Sequence, residues 1–278
     1  MLSQKIIQNI PSLRLRPAQR PTVRQGKVIP IVEFSRGDFL VKTVRSKREL
    51  LQVQSLRYDV FHREYKQKKF PFGLDLDRFD AWSDHLVIMD QKTGCFVGTY
   101  RLLLEGRAPY FYSETEFDMS PLKAISGVKL ELSRACIHKE YRNGTVIGLL
   151  WRGLVQYVQA AGVDFLFGMS SVKTMDPADI ARVYRELRAA GNVDETLPCL
   201  PIEGFRVPGF HRHLEAAERN PLPDSGDMIP ALLKSYLRAG AKVIGEPSVD
   251  PDFKCADFLT LLDMRNLGKA YERKFKLC

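Results

Sequence analysis

The 278-residue chain lacks several features that mark common classes of protein. No apolar run approaches the ~18 residues that a membrane-spanning helix needs, so the sequence predicts no such helix. The five cysteines are scattered and form no CxxC pair, which argues against a disulfide framework and a structural zinc site. Acidic residues are nearly missing from residues 1–36, where Glu33 stands among seven Lys and Arg. This region also contains four prolines, which is typical of an irregular tail.

What is present describes a globular, basic protein. Apolar residues make up 45% and charged residues 27%, and the formal net charge is +9. A basic excess favours an acidic partner, such as a nucleic acid, an anionic membrane surface or an acidic protein. Nucleic acid is disfavoured because the basic residues are not interleaved with aromatics on a recognisable module. Unpaired cysteines and the lack of a signal-peptide core predict a reducing, cytoplasmic location.

Hydrophobic periodicity predicts an α/β fold, in which a mixed β-sheet is flanked by helices. Alternating or short apolar runs predict strands at residues 39–44, 85–90, 95–104, 128–138, 163–168, 242–245 and 257–262. Three- to four-residue spacing predicts helices at residues 47–65, 145–159, 177–190, 229–239 and 266–276.

An unusual set of charged residues lies in the middle of the chain. Glu131 and Arg134 interrupt an otherwise apolar strand, and buried charges are costly unless they are paired. A regular strand puts residues three apart on opposite faces, so these two share one site only if a β-bulge lies between them. The set fits either a structural ion-pair network or a functional site. Its other members are Arg57, Asp77, Asp80, Asp84 and Arg101.

A second candidate is the turn that precedes the helix at residues 145–159. The backbone N–H groups of a helix N-terminus suit a phosphate, Arg142 would add positive charge, and Gly144 would let the backbone approach closely. Thr145 is a suitable capping residue. An ordinary strand-to-helix turn explains the same residues.

Together these motifs carry a family resemblance that covers about residues 38–263. The chain resembles the GNAT-fold acyltransferases that use acyl carrier protein, and it shares a skeleton with the acyl-homoserine-lactone synthases. It is most similar to the bacterial N-acyltransferases of ornithine-lipid synthesis, often labelled hemolysin-like. The shared pattern is Arg57 and Phe61 in the first long helix, Asp77 and Asp80, Arg101 in a strand, and Glu131-x-x-Arg134.

The resemblance implies three parts of the chain. Residues 1–36 would be a basic tail, residues 37–190 a GNAT acyltransferase core, and residues 191–278 a C-terminal extension that completes the sheet. The extension contains the Pro-rich stretch 192–227, which the sequence predicts to be irregular and a candidate lid.

The implied activity is an N-acyltransferase that moves a 3-hydroxy fatty acyl group from acyl carrier protein to the α-amine of ornithine, which gives a lyso-ornithine lipid. The donor would be a phosphopantetheine-linked thioester, with no bound cofactor and no metal. The product suggests peripheral contact with the anionic inner face of the cytoplasmic membrane. Two alternatives stay open: a synthase with another acceptor such as glycine, and a non-enzymatic protein that binds the carrier or the membrane.

The resemblance also implies roles for individual residues. Glu131 would be the base that takes a proton from the amine, directly or through a water, with Arg134 beside it. A backbone N–H of Cys136 or Ile137 would polarise the thioester carbonyl, and Cys136 as a covalent nucleophile is the rival interpretation. The substrate-binding set would be Arg57, Phe61, Asp77, Asp80 and Arg101, and the donor loop would be Arg142, Asn143, Gly144 and Thr145.

Overall fold

The structure is a computed structural model that describes residues 30–65, 72–219 and 228–266. In these residues ten strands form one mixed sheet in the order β1-β2-β3-β4-β5-β6-β10-β8-β7, with β9 paired to β10. The strands are β1 (Glu33–Arg36), β2 (Phe39–Thr43), β3 (Asp84–Asp90), β4 (Phe96–Leu104), β5 (Lys129–Ile137), β6 (Phe165–Val172), β7 (Val193–Asp194), β8 (Lys242–Ile244), β9 (Ser248–Asp250) and β10 (Cys255–Asp263). The α-helices are α1 (Lys47–Tyr58), α2 (Ser120–Ala124), α3 (Thr145–Ala161), α4 (Pro177–Ala189), α5 (Phe210–Arg219) and α6 (Ala231–Ala239).

The predicted α/β class is confirmed, because each predicted strand overlaps an observed one. The helix predicted at residues 47–65 is α-helical only to Tyr58 and continues as a π-helical segment, Asp59–Tyr65. The helix predicted at residues 266–276 lies almost entirely outside the described residues. So do residues 1–29 of the predicted basic tail.

Two boundaries predicted from the sequence are corrected. Glu33–Arg36, which the sequence placed in the tail, is an edge strand that pairs antiparallel with β2. The stretch 192–227, predicted to be irregular, contains β7 and α5. Helix α5 is polar except for one face, where Phe210 packs edge-on against Tyr184 of α4. The helix is only ten residues long and lies in a Pro-rich stretch, so its two inward apolar residues, Phe210 and Leu214, do not distinguish it from a loop in the sequence.

The helices cover both faces of the sheet. A Cβ on Gly98 of β4 would touch Val146 and Leu150 of α3, which places α3 on the face of the even-numbered β4 residues. On the other face, Val53 of α1 packs in one cluster with Cys136 of β5. None of the helices in the described ranges combines the length and apolarity needed to cross a membrane.

The sheet opens between β5 and β6. Their parallel pairing ends at Glu131 and Phe167, although both strands continue for several residues. At the last contact the backbones are so close that a Cβ on Gly168 would lie 2.2 Å from the Leu132 carbonyl oxygen. Beyond it is a cavity of about 20 Å³, which has room for about one water. Its lining includes Leu132, Trp151, Gly168, Met169, Tyr236 and Thr260.

The close approach at Gly168 predicts a large effect of a single methyl group. Gly168→Ala should lower the free energy of unfolding by roughly 1–3 kcal/mol, because the new Cβ can be accommodated only if β5 moves. Urea denaturation measures the change. Gly148→Ala in α3 is the control, since its Cβ would meet nothing within 4 Å and alanine favours helix. Equal stabilities of the two variants would contradict the prediction.

Candidate active site

Arg57 ties α1 to the segment that follows the π-helical turn. The side chain has no exposed surface, and its Nε donates to Asp75 Oδ2 at 2.7 Å. Nη1 and Nη2 donate to the two carboxylate oxygens of Asp80 at 2.7 and 2.9 Å, and Nη2 also donates to the Asp75 carbonyl oxygen. Four of the five N–H donors of this guanidinium are therefore used by protein groups. Arg57 holds Asp75 and Asp80 in place rather than presenting its guanidinium to a substrate.

The two aspartates predicted from their spacing have different main partners, although Arg101 Nη1 lies 3.6 Å from Asp80 Oδ1 as well. Asp80 accepts hydrogen bonds from Arg57. Asp77 Oδ2 lies 2.8 Å from Arg101 Nη1 and accepts a hydrogen bond from Arg134 Nη2 at 2.8 Å. Burial opposes ionisation of Asp77, but the two arginines outweigh it and hold the pKa of this carboxyl well below its usual range. Asp77 is therefore an anion at any physiological pH.

A β-bulge brings Arg134 to the same face of the sheet as Arg101. Arg101 pairs with Ser133 and Thr99 with Cys136, so two residues of β5 lie opposite Tyr100 alone. Arg134 is one of the two and has a φ of 50°, a left-handed conformation that is uncommon for a residue other than glycine. The bulge that a shared site required is present.

Glu131 is completely buried and is held by three hydrogen bonds. Its carboxylate accepts from the Tyr112 N–H at 2.6 Å, the Ser113 N–H at 2.6 Å and the Ser113 hydroxyl at 2.5 Å. Burial raises the pKa of Glu131, although the bonds from Ser113 and Tyr112 oppose this. Glu131 thus fixes the 3₁₀ turn Tyr112–Thr115. The Tyr112 ring then lies 4.9 Å from Arg101 Cζ and 5.3 Å from Arg134 Cζ.

Phe61 lies at the edge of this cluster, as the resemblance implied. Its ring is 6.0 Å from Arg134 Cζ and packs edge-on against Phe253, which follows β9. Phe253 in turn lies 5.5 Å from Arg134 Cζ. The two rings form an apolar wall beside the charged groups.

The donor loop lies beyond the end of β5. The Gly144 backbone has a φ of 93° at the start of α3, and the Asn143 side chain accepts from the Thr145 N–H. Arg142, which the sequence predicts to add positive charge there, donates twice to Glu64, at 2.5 and 2.8 Å, and once to the Ile137 carbonyl. This ion pair is partly exposed, and such pairs are weak enough for a phosphate to replace the carboxylate.

Cys136 is a buried residue of β5 whose thiol is unsuited to nucleophilic attack. Burial raises the pKa of the thiol to about 12, and the neighbouring charges do not reverse this. Because the thiolate is the reactive form, the covalent mechanism is not supported by the structure.

Burial predicts which cysteines react with iodoacetamide. In the native protein at pH 8, Cys95 should be alkylated, whereas Cys136, Cys199 and Cys255 should react only after unfolding. Peptide mass spectrometry before and after denaturation measures this difference. Rapid native alkylation of Cys136 would contradict its burial and reopen the covalent mechanism.

Several site residues were not predicted from the sequence as members of the site. Asp75, His62 and Tyr112 join the charged cluster, and His62 Nε2 lies 2.9 Å from Asp75 Oδ1. Asp75 could have been found, because it alternates with Asp77 in an otherwise irregular segment. A separate group of buried acids contains Glu116, Asp250 and Asp257. The sequence predicted no metal site, yet ligand atoms of Asp250, Cys255 and Asp257 lie within 4.8 Å of one another.

Comparison with known proteins identifies the family. The acetyltransferase (GNAT) domain model matches residues 56–152, which contain the charged cluster and the donor loop. The L-ornithine N(alpha)-acyltransferase of Rhodobacter capsulatus is 31% identical over 244 residues, which are 83% of this chain and 92% of that protein. The enzyme of the same name from Brucella abortus is 29% identical over 258 residues, 84% of this chain and 88% of that protein.

The solved structures to which this chain is similar include the AHL synthase LasI. It covers 85% of this chain and 94% of its own length at 14% identity, with a TM-score of 0.47. The resemblance inferred from the motifs is confirmed by the curated relatives, and the protein is an acyltransferase with a GNAT domain. The chain belongs to the family of L-ornithine N(alpha)-acyltransferases.

Proposed function

We propose that the protein transfers a 3-hydroxy fatty acyl group from acyl carrier protein to the α-amine of L-ornithine and so forms a lyso-ornithine lipid. The observation that carries the proposal is the position of the charged cluster. Arg101, Glu131 and Arg134 lie on β4 and β5, beside the gap where β5 and β6 separate. The relatives named above act on L-ornithine by their names, which supports this acceptor.

The β5 ladder favours Ile137 for binding the thioester carbonyl. The His138 N–H donates to the Val97 carbonyl at 2.9 Å, across the β4–β5 pair. Because N–H directions alternate along an antiparallel strand, the N–H of Cys136 also points to β4, whereas that of Ile137 points to the gap beside β6. A thioester oxygen in the gap would therefore accept a hydrogen bond from Ile137, which would stabilise the charge that develops during attack.

The guanidinium groups offer donors for the acceptor's carboxylate. Arg101 is completely buried, and its Nη2 has no hydrogen-bond partner among the described residues. Arg134 Nε also lacks a hydrogen bond within that part of the chain. An α-carboxylate bound here would place the α-amine next to β5. Arg57, Asp75, Asp77 and Asp80 would hold the two arginines in place.

In the reaction the α-ammonium first loses a proton, and the neutral nitrogen attacks the thioester carbon. The C–N bond forms, the C–S bond breaks, and the carrier's thiolate takes up a proton. Glu131 accepts three hydrogen bonds, which leaves its carboxylate room for one more, so we assign its catalytic contribution to proton transfer through one intervening water. The phosphopantetheine phosphate would bind at Asn143, Gly144 and Thr145, where Arg142 can exchange Glu64 for it.

The basic character of the chain supports the proposed partners. With a net charge of +9 and exposed Arg142 and Lys139 at the donor loop, the protein would attract an acidic carrier protein. The same positive charge supports peripheral contact with an anionic membrane, where the lipid product would be released.

The test is acylation by the purified full-length protein. 3-Hydroxyacyl carrier protein is supplied with equimolar L-ornithine and glycine, and mass spectrometry identifies the N-acyl product. We expect 3-hydroxyacyl-ornithine. An acyl-glycine product would identify glycine instead of ornithine as the acceptor. Turnover with acyl-CoA but not with the carrier protein would identify acyl-CoA as the donor. The absence of any acyl amide would contradict the proposed function.

A further inference from the structure

Three buried carboxylates form a second polar group on the same face of the sheet as the charged cluster. We call Glu116, Asp250 and Asp257 the acid pocket; their exposed fractions are 3%, 8% and 3%. Asp257 is on β10, Asp250 ends β9, and Glu116 follows the Tyr112 turn. The hydrogen bonds to the pocket come from Ser248 Oγ to Glu116 (3.0 Å), Ser171 Oγ to Asp257 (2.5 Å), Cys255 Sγ to Asp257 (3.7 Å), and the N–H groups of Asp252 and Phe253 to Asp250 (2.7 and 3.0 Å).

The acid pocket contains no counter-charge of its own. Among the described residues, no Lys, Arg or His forms an ion pair with any of the three carboxylates, unlike the aspartates around Arg57. Burial and the mutual repulsion of the acids raise the pKa of Glu116 to about 8 and that of Asp257 to about 6. Like charges buried together are unfavourable, and a bound cation would relieve the repulsion. The fold itself gives no reason for the grouping.

Tyr112 connects the acid pocket to the acceptor site. Its ring contacts Arg101 and Arg134. Burial raises the pKa of the Tyr112 hydroxyl, the nearby Glu116 adds to this rise, and the two arginines oppose it. On the other side, Phe253 lies between Asp250 and β10 in the chain and packs beside Arg134. A molecule bound around Tyr112 would therefore meet cations at one end and carboxylates at the other.

An unpartnered buried group marks this space as a binding site independently of the acids. Arg101 has no exposed surface, and its guanidinium is packed over the Tyr112 ring with Nη2 free of hydrogen bonds in the described part of the chain. Leaving a buried guanidinium donor unsatisfied is costly unless a ligand completes it. An anionic group is the natural partner there, and the acids beyond Tyr112 require a cationic one.

We propose that the acid pocket binds the side-chain ammonium of the acceptor and thereby selects amino acids with a cationic side chain. This inference rests on the proposed function. The acceptor would bind with its carboxylate at Arg101 and Arg134, its α-amine at the β5–β6 gap, and its terminal ammonium at Glu116, Asp250 and Asp257. A neutral side chain of the same length would bury the three acids without a cationic partner. The site would therefore select a cationic side chain both by attracting it and by the cost of desolvating the unpaired acids around a neutral one.

The experiment compares L-ornithine with L-norvaline, which has the same carbon chain without the terminal amine. Wild type, Glu116→Gln and Asp257→Asn are assayed with 3-hydroxyacyl carrier protein, and amino-acid binding is measured by calorimetry without donor. In both variants we expect kcat/KM for ornithine to fall roughly 10- to 100-fold, mainly through KM, because one charged hydrogen bond is lost. The low activity with norvaline should be unchanged or rise. Asp263→Asn is the control, because Asp263 lies at the far end of β10 from the pocket. Its kcat/KM for both acceptors should equal that of wild type.

The outcomes separate the two proposals. If the variants lost kcat/KM equally for both acceptors, or if the wild type used both equally well, the acid pocket would not select the side chain. The proposed acylation of an α-amine would be unaffected by either result. Charge-selective binding of ornithine without any turnover would support the pocket and overturn the proposed function. A stoichiometric divalent ion that is lost in Asp257→Asn, with acceptor preference unchanged, would overturn the ammonium site in favour of a metal site. The melting temperatures of the variants should not fall, because each removes one member of a buried group of acids that repel one another when ionised.

Discussion

Arg57→Met is expected to lower the free energy of unfolding by about 3–5 kcal/mol, the loss typical when one partner of a buried ion pair is removed. Methionine fills much of the same volume, but it leaves Asp75 and Asp80 buried without the four hydrogen bonds that Arg57 now donates. Urea denaturation of wild type and variant measures the difference. The link between α1 and the aspartate segment should be the first part of the site to open.

A matched control is available six residues further along the chain. Arg63 forms an exposed ion pair with Asp59, so Arg63→Met should not change the urea midpoint measurably. If both variants had the same urea midpoint as wild type, the ion pairs around Arg57 would contribute as little to stability as exposed ion pairs do. That result would also weaken its proposed part in holding Arg101 and Arg134.

The same cluster makes the free energy of unfolding depend on pH. Burial opposes ionisation of Asp75, but Arg134 and Arg57 outweigh it, and the pKa of Asp75, like that of Asp77, is lowered. A carboxylate whose pKa is lower in the folded state stabilises that state above its unfolded pKa, about 4, and the stabilisation is lost as pH falls below it. Wild type should therefore lose stability steeply below about pH 4. Arg57→Met should show a shallower slope, since one cause of the lowered pKa is gone.

The charged cluster was largely predictable because it breaks a local pattern. Glu131 and Arg134 interrupt an apolar strand, and such residues must find partners wherever the fold places them. The sequence could not show which partner each would take. It suggested Arg57 as a substrate-binding residue, whereas in the structure Arg57 donates four hydrogen bonds to Asp75 and Asp80. Likewise, Arg142 is bound to Glu64 of the π-helical segment.

The acid pocket could not be assembled from the sequence. Glu116 and Ser248 are separated by 132 positions, and they meet only because β10 lies next to β6 in the sheet. Contacts at such separation follow from strand order, which local periodicity does not encode. The π-helical end of α1 was missed for a related reason, since it continues the helical spacing and differs only in its hydrogen bonds.

Glu131→Gln is expected to reduce kcat/KM for ornithine acylation by roughly 10²- to 10⁴-fold, the range spanned by loss of a general base. The amide keeps the shape of the side chain but removes its charge. Its NH₂ would face the N–H of either Tyr112 or Ser113, which can only donate, while its oxygen could still accept from the other. The Tyr112 ring would then lose its fixed position between Arg101 and Arg134. Single-turnover acylation with mass spectrometry measures the loss of chemistry separately from product release.

Ser113→Ala distinguishes the charge of Glu131 from its hydrogen bonds. This variant removes one of the three donors and leaves the carboxylate with both backbone N–H groups. If the charge matters most, Ser113→Ala should retain at least a tenth of wild-type activity, while Glu131→Gln is nearly inactive although it remains folded. If the two variants lost activity equally, Glu131 would act only by holding the turn. If Glu131→Gln kept most of its turnover, the proton would leave by another route.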